Sequence, residues 1–207
     1  LNIPFQIPKW PVDHMATSEI SETSVSVADS ELCPRFTARV LKGVSVGVSP
    51  LWMQTRLQLL GMRSINSVVD VSNYVMLELG TPNHTYDLSL VGGNAIGVRR
   101  AKIGESITTL DGQERSLATG DGVIVDGSDV AIGVAGVMGG SSTEISDSTN
   151  TILLELACWD RTAIARTSQR MGLRSEASSR FERGTDINLS VTAVERFCYL
   201  LNDITPG

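Results

Sequence analysis

Four stretches of this 207-residue chain carry side chains able to do chemistry, and each has a structural as well as a functional reading. His84 follows Gly80-Thr-Pro-Asn. In such a loop an imidazole can point into a cleft as a hydrogen-bonding group that changes charge near neutral pH; it can equally be a loop histidine bonded to backbone. Glu155 sits inside the apolar run Thr151-Ile-Leu-Leu-Glu-Leu-Ala-Cys-Trp159. If that run is a strand, Leu154 and Leu156 face one way and Leu153 and Glu155 the other. A carboxylate among strand hydrophobes needs a partner, because burying an unpaired charge is costly; a half-exposed edge position is the alternative. Gly136-Val-Met-Gly-Gly140 can bring free backbone N–H groups close to an anion or a carbonyl oxygen, or it is a bulge and turn in a sheet. From Arg170 to Asp186, small, charged and turn-forming residues follow one another as in a shaped pocket wall. Within it Ser175 can cap a short helix whose Arg180, Glu182 and Arg183 form ion pairs.

Other chemistries find little support. Neither GxxxxGK[ST] nor GxGxxG occurs, so no nucleotide cradle is expected. None of the serines sits in GxSxG, and with only two histidines a hydrolase triad has little standing. His14 has no company and stays unassigned. No His/Asp/Glu cluster shows ligand spacing, and the three cysteines, Cys33, Cys158 and Cys198, lack CxxC spacing, so no metal site is expected.

Turn and cap residues outline the elements that must position these groups. Residues 1–32 mix prolines with a Ser/Thr/Glu-rich run and read as an incoming linker, with Val25-Ser-Val27 a possible short edge strand. The compact domain is expected to span 33–207. Phe36 to Val48 predicts a strand; Ser49-Pro50 then supplies an N-cap and first-turn proline for a helix ending at Gly61. Asn66 caps a second helix to about Leu79, with Val68, Val71 and Val75 on its apolar stripe and Asp70, Ser72 and Asn73 among its polar members. Ala95 to Leu156 breaks into short strands at Asp111-Gly112, Gly120-Asp-Gly122 and Asp126-Gly127, a β-rich half. Trp159-Asp160 opens a helix that stops at Gly172. Asn188 to Asn202 forms the last one, with Val191, Val194, Cys198 and Leu201 on one face.

With 42% apolar residues the chain can fill a sizeable core. Its longest apolar runs are broken by glycine and too short for the roughly 20 residues of a membrane helix, so no membrane association is expected. The cysteines read as reduced thiols of a cytoplasmic protein. The N-terminus has neither a basic nor an apolar leader region, and the missing initiator Met reads as a cut in a longer polypeptide. A net charge of −6 disfavours generic binding to DNA or RNA.

Together the motifs resemble the B3/B4 module of the bacterial phenylalanyl-tRNA synthetase beta subunit. The resemblance runs from Cys33-Pro-Arg-Phe-Thr-Ala-Arg39 through Ser67-Val-Val-Asp-Val-Ser-Asn-Tyr-Val-Met-Leu-Glu-Leu-Gly80, the loop to Asp87, Gly136 to Gly140 and Ile152-Leu-Leu-Glu155 to Phe181-Glu-Arg-Gly184. It implies a mixed α/β, β-rich, three-layer β/β/α module inside a larger beta subunit, an editing domain that hydrolyses tyrosine mischarged on the phenylalanine tRNA. It implies as partners the acceptor end of that tRNA, the remaining beta-subunit domains and the alpha subunit. ATP and Mg would belong to that catalytic subunit, with no cofactor here. Ser72, Asn73, His84, Gly139, Glu155, Ser175 and Ala177 fall on its pocket motifs. Glu155 would accept the tyrosine phenol, His84 and Asn73 would hold the amino-acid end, and Gly139 would leave space or give an N–H. An aminoacyl ester is already activated, so positioned water and oxyanion stabilisation can suffice in a substrate-assisted reaction, with His84 as orienter or modest base.

This chain departs from the family pattern at the loop, usually Gly-Gln-Pro-Leu/Met-His-Ala-Phe-Asp but here Gly80-Thr-Pro-Asn-His-Thr-Tyr-Asp87. Asn83 and Thr85 bear on the pocket rim, and Ser72 and Ser175 stand for commoner threonines. Two other readings stay open: a degenerate module that only scaffolds the beta subunit, and a free-standing amino-acid- or RNA-binding protein of the same fold.

Overall fold

The computed structural model describes Trp10 and residues 23–205; His14, most of the stretch read as a linker, and Gly207 lie outside the described residues. The architecture is organised on β10 (Thr151–Cys158), which pairs antiparallel with β2 (Arg35–Lys42) on one side and β3 (His84–Asp87) on the other. A strand paired on both edges and covered on both faces must be apolar in its buried stretch, as Ile152 to Cys158 is apart from Glu155. Its alternation feeds two separate cores. Leu153 and Ala157 pack into one; Ile152, Leu154 and Leu156 pack into the other.

The first core joins this three-stranded sheet to a five-stranded one of order β1-β4-β7-β8-β9, made of Ser24–Val27, Ala95–Arg100, Gly122–Asp126, Ala131–Val134 and Met138–Gly139. Its buried members include Val98, Val123, Ile132 and Tyr86. β5 (Ser106–Thr108) and β6 (Glu114–Ser116) form a separate hairpin around Asp111-Gly112. The second core lies beneath α1 (Leu51–Leu59), α2 (Ser67–Leu79) and α5 (Ser190–Ile204), through Met53, Leu57, Val68, Val71, Val75 and Phe197. The layers are therefore sheet, sheet and helices. Each fully buried aliphatic side chain contributes about 1.5–3 kcal/mol, so the double burial of β10 ties the layers together.

After β10 the chain turns into α3 (Arg161–Met171), where the Asp160 carboxylate accepts from Ala163 N at 2.7 Å. Asp121, at the entrance to β7, accepts from Thr167 Oγ1 at 2.9 Å and from the Arg170 guanidinium, which fastens α3 to the five-stranded sheet. α4 (Glu176–Phe181) follows at once.

Cap residues set several boundaries as read from sequence: Asn66 accepts from Val69 N at 2.9 Å to start α2, which ends at Gly80. Elsewhere the structure corrects the reading. β2 stops at Lys42 rather than Val48, because Gly43 turns the chain with φ +70°. Ser49 does not cap α1; Pro50 occupies that position, and the Ser49 hydroxyl donates instead to Asp70. The last helix begins at Ser190 after a 3-10 turn capped by Asp186, and its buried face is Ala193, Val194, Phe197, Cys198, Leu200 and Leu201, with Val191 exposed. Val25-Ser-Val27 lies in the edge strand β1, as read from sequence; that strand pairs in parallel with β4 and Leu32 is fully buried, so the folded unit reaches upstream of Cys33. No helix among the described residues is long and apolar enough to cross a membrane.

Asp70, fully buried on α2, accepts from Ser49 Oγ at 2.6 Å, Ser64 Oγ at 2.5 Å and Ile65 N at 2.8 Å. Removing that acceptor leaves three donors unpaired. Asp70→Ala is predicted to lower unfolding free energy by about 2–4 kcal/mol, against about 1 kcal/mol for loss of the Asn66 cap in Asn66→Ala. Urea unfolding of both variants checks the order; equal, small effects would show that Asp70 does not hold the approach to α2.

Candidate functional site

Ser72, Asn73, His84, Gly139, Glu155, Ser175 and Ala177 all line one cleft of about 490 Å³, within the range typical of small-ligand sites. Its floor and walls are largely apolar, with Val69, Met76, Leu110, Val137, Met138 and Trp159 among them. Five elements or their connections supply the seven residues, and topology rather than local sequence brings them together.

Glu155 is 5% exposed at the middle of β10, directly opposite His84 on β3. That position excludes the half-exposed edge alternative. Tyr86 lies two residues beyond His84 and so on the same face of β3; fully buried, it donates its phenolic hydroxyl to Glu155 Oε2. Oε1 receives no hydrogen bond among the described residues. Burial pushes the Glu155 carboxyl up to about 7, against the lowering effect of the Tyr86 hydrogen bond. Burial and the neighbouring Glu155 push the Tyr86 phenol well above 10, so the shared proton stays on Tyr86.

His84 is half-buried between two fixed neighbours. On one side the Tyr86 ring meets it edge to face, centroids 4.6 Å apart at 80°. On the other, β9 backbone comes so close that a Cβ at Gly139 would lie 2.4 Å from His84 Nε2. A side chain at 139 would displace the His84 ring. Desolvation lowers the His84 pKa to about 4, leaving a neutral imidazole at pH 7 that can donate from one nitrogen and accept at the other.

The Gly136–Gly140 stretch follows the turn reading offered for it. It is the β8–β9 turn: Gly136 adopts φ +65°, and a Cβ there would strike Ile164 at 2.8 Å and Trp159 at 2.9 Å. The close approach is made to His84. The Gly139 carbonyl accepts from Leu110 N at 3.0 Å, and Gly140 N donates to Ile132 O at 2.8 Å.

Ser72 and Asn73 come from α2. Ser72 Oγ donates to Asn83 O at 3.2 Å while Asn83 Nδ2 donates to Ser72 O at 3.1 Å, which fixes the loop leading into β3. The Asn83 Oδ1 atom is buried with no partner among the described residues, and Asn73 lines the same cleft. Ser175 caps α4 in a reciprocal box with Ser178, accepting from Ser178 N at 3.0 Å, and donates its own proton to Val137 O at 2.7 Å. Its hydroxyl thus clamps α4 onto the β8–β9 turn. Ala177, in the first turn of α4, keeps that wall shallow. Arg180 pairs with Glu176, and Glu182 with Arg174.

Two contributors were missed from sequence. Tyr86 was detectable, because period-two alternation puts it on the face of His84, and Glu155 needed a donor. Trp159 packs edge-on against Phe36 and Phe181, both centroid distances 6.5 Å, and its buried indole N–H has no partner among the described residues. No group of three or more His, Cys, Asp or Glu side chains among the described residues is arranged to hold a metal ion.

Comparison with known proteins gives a consistent result. Residues 32–206 match the family model described as "B3/4 domain". The phenylalanine–tRNA ligase beta subunit of Geobacter metallireducens is 51% identical over 189 residues, 91% of this chain and 24% of that protein. The beta subunit of Oleidesulfovibrio alaskensis is 42% identical over 206 residues, 100% of this chain and 26% of that protein. The chain thus spans about a quarter of the length of the curated relatives it matches. A crystal structure of an N-terminal fragment of the phenylalanyl-tRNA synthetase beta subunit from Pyrococcus horikoshii covers 80% of this chain and 52% of its own, with a TM-score of 0.51 and 11% identity, which establishes a shared fold.

The raised Glu155 pKa has a thermodynamic signature. The folded state keeps a proton that the unfolded chain releases near the ordinary value of 4.5, so this contribution to stability is fully present below pH 4.5 and is lost as pH rises through about 7. Glu155→Gln removes the titration. Its stability relative to the parent should therefore improve by up to about 3 kcal/mol between pH 4.5 and 7 and change little above that. Denaturation curves of the two proteins across pH 4.5–8 test this; a constant difference would mean that Glu155 titrates normally.

Proposed function

This chain belongs to the B3/4 domain family, and we propose that its cleft is an editing site that hydrolyses the ester of tyrosine wrongly attached to the phenylalanine tRNA. One observation carries the reading. An apolar cleft contains a buried carboxyl group with one oxygen lacking a protein donor, directly opposite a neutral imidazole on the neighbouring strand.

An aromatic amino acid fits the apolar walls, and Glu155 Oε1 supplies the acceptor that distinguishes a phenol from a bare ring. A phenylalanine pocket in a synthetase rejects an isostere carrying one more hydroxyl by only about a hundredfold, whereas a site built to bond that hydroxyl discriminates by about 10⁴ or more. With phenylalanine in this cleft, Glu155 Oε1 stays desolvated and unpaired, a penalty that tyrosine avoids. The reading therefore answers a need that the synthetic site alone leaves unmet.

At the other end of the ligand, the neutral His84 ring and the Asn73 amide orient the α-amino and ester groups. Water adds to the ester carbonyl, the bond to the ribose oxygen breaks, and the proton that water loses ends on that oxygen, by way of the neighbouring ribose hydroxyl. An imidazole with a pKa near 4 is a weak base. Its task here is orientation, and the activated ester needs little more. On this reading the tRNA acceptor end enters from a larger beta subunit, the synthetic reaction with ATP and magnesium belongs to the alpha subunit, and the assembled enzyme works in the cytoplasm.

Glu155→Ala tests the specificity role in the assembled ligase, by following release of tyrosine and of phenylalanine from the same tRNA. Discrimination should fall about ten- to a hundredfold, the equivalent of one charge-assisted hydrogen bond. His84→Ala should slow tyrosine release without opening phenylalanine release. Unchanged discrimination in a folded Glu155→Ala enzyme would leave Glu155 as a structural strand carboxyl.

A further inference from the structure

Tyr86 has no part in the function as proposed so far, yet its hydroxyl makes the only hydrogen bond to the Glu155 side chain among the described residues. The two are 69 residues apart in the chain and meet because β3 and β10 pair antiparallel, with Tyr86 opposite Leu153 and His84 opposite Glu155. Tyr86 is thus the diagonal neighbour of Glu155 on one sheet face, a separation that an aromatic side chain spans. It is fully buried, and its ring packs edge to face on His84.

Resting on the editing reading, we propose that Tyr86 is a positioning residue for specificity: its hydroxyl occupies Glu155 Oε2, fixes the plane of the carboxyl group and leaves Oε1 as the one acceptor presented to the phenol of a bound tyrosyl group. A ligand tyrosine then completes a two-phenol arrangement, one donor to each oxygen. Without Tyr86 the carboxyl can rotate, and a ligand phenol gains no defined partner. The same hydrogen bond favours the ionised carboxylate against the desolvation that disfavours it. Phenol reading should consequently strengthen as pH rises through the titration of Glu155, and Tyr86 should set where that rise falls. Of the titratable groups around the carboxyl, His84 stays neutral above pH 4, Tyr86 stays protonated, and the Cys33 thiol, pushed up to about 12 by burial and by Glu155 itself, keeps its proton too, while Arg63, Glu144 and Glu176 line the same cleft; Glu155 is the group whose change bears on the phenol.

Tyr86→Phe removes one oxygen and keeps the ring that packs against His84 and the core. The titration of Glu155 is read directly by carbon-13 NMR of the side-chain carboxyl in parent and variant, and tyrosine-over-phenylalanine discrimination is read in the assembled ligase from pH 6 to 9. The expected result is an upward shift of the Glu155 midpoint by about one pH unit, the size of one lost hydrogen bond to a charged group, together with about tenfold weaker discrimination at pH 7 that recovers only in part at higher pH, because the carboxylate then ionises but its plane stays unfixed. An unmoved NMR midpoint overturns the proposal whatever the substrate data. So does a shifted midpoint with unchanged discrimination. Glu155→Ala, run in parallel, separates the two levels: if it loses discrimination while Tyr86→Phe does not, the editing reading stands and only the role of Tyr86 falls.

Discussion

A carboxyl group in the middle of β10 is the constraint around which the site is arranged. Desolvating a carboxylate without a partner costs several kcal/mol, and Glu155 is 5% exposed between two packed layers. Two responses are visible. Its pKa rises to about 7, which lets the group take up a proton, and Tyr86 donates to one oxygen. Neither response occupies the second oxygen, which receives no protein donor among the described residues on a side chain that lines the cleft. A fold that retains such a group among the leucine, isoleucine, alanine and cysteine side chains of β10 gives up stability there, and an acceptor without a protein donor on an apolar wall gains meaning as a recognition element.

The scaffold holds that acceptor with little freedom. β10 is paired along both edges and its apolar residues alternate between two cores, so a one-residue slip in register would expose the leucines of both. His84 is confined between the Tyr86 ring and the β9 backbone at Gly139. Polar contacts hold other parts of the cleft: Ser175 to the Val137 carbonyl, and the reciprocal bonds between Ser72 and Asn83. These contacts lie around the cleft rather than across it, and the interior stays open and apolar.

Local signals in the sequence identified the elements well where a cap or turn residue acts through its own backbone. Asn66, Gly80, Asp160, Gly172 and Ser175 mark helix ends in the chain as they do in the structure. They fail where a tertiary contact competes for the same atom. Ser49 looks like a cap but gives its hydroxyl to Asp70, and the parallel pairing of β1 with β4 joins segments about 70 residues apart that no local pattern links. The alternation of β10 correctly put Glu155 on the side of Leu153, yet only the register of β3 shows that His84 and Tyr86 face it. The gathering of the seven site residues into one cleft was reached through resemblance of motifs, since spacing in the chain carries no information about which loops meet. Ser175 shows the limit of that route, because its hydroxyl proton is engaged by Val137.

The central claim is that Glu155 Oε1 receives a phenol from the ligand. The most direct test is binding of a non-hydrolysable 3′-amide analogue of tyrosyl-adenosine, compared with its phenylalanyl counterpart, by calorimetry and by a structure of the complex. The account predicts the tyrosyl analogue in the cleft with its phenolic oxygen at hydrogen-bonding distance from Glu155 Oε1, its amide near His84, and an affinity at least about tenfold above that of the phenylalanyl analogue. Equal affinities, or a tyrosyl ring whose hydroxyl points away from Glu155, would contradict it.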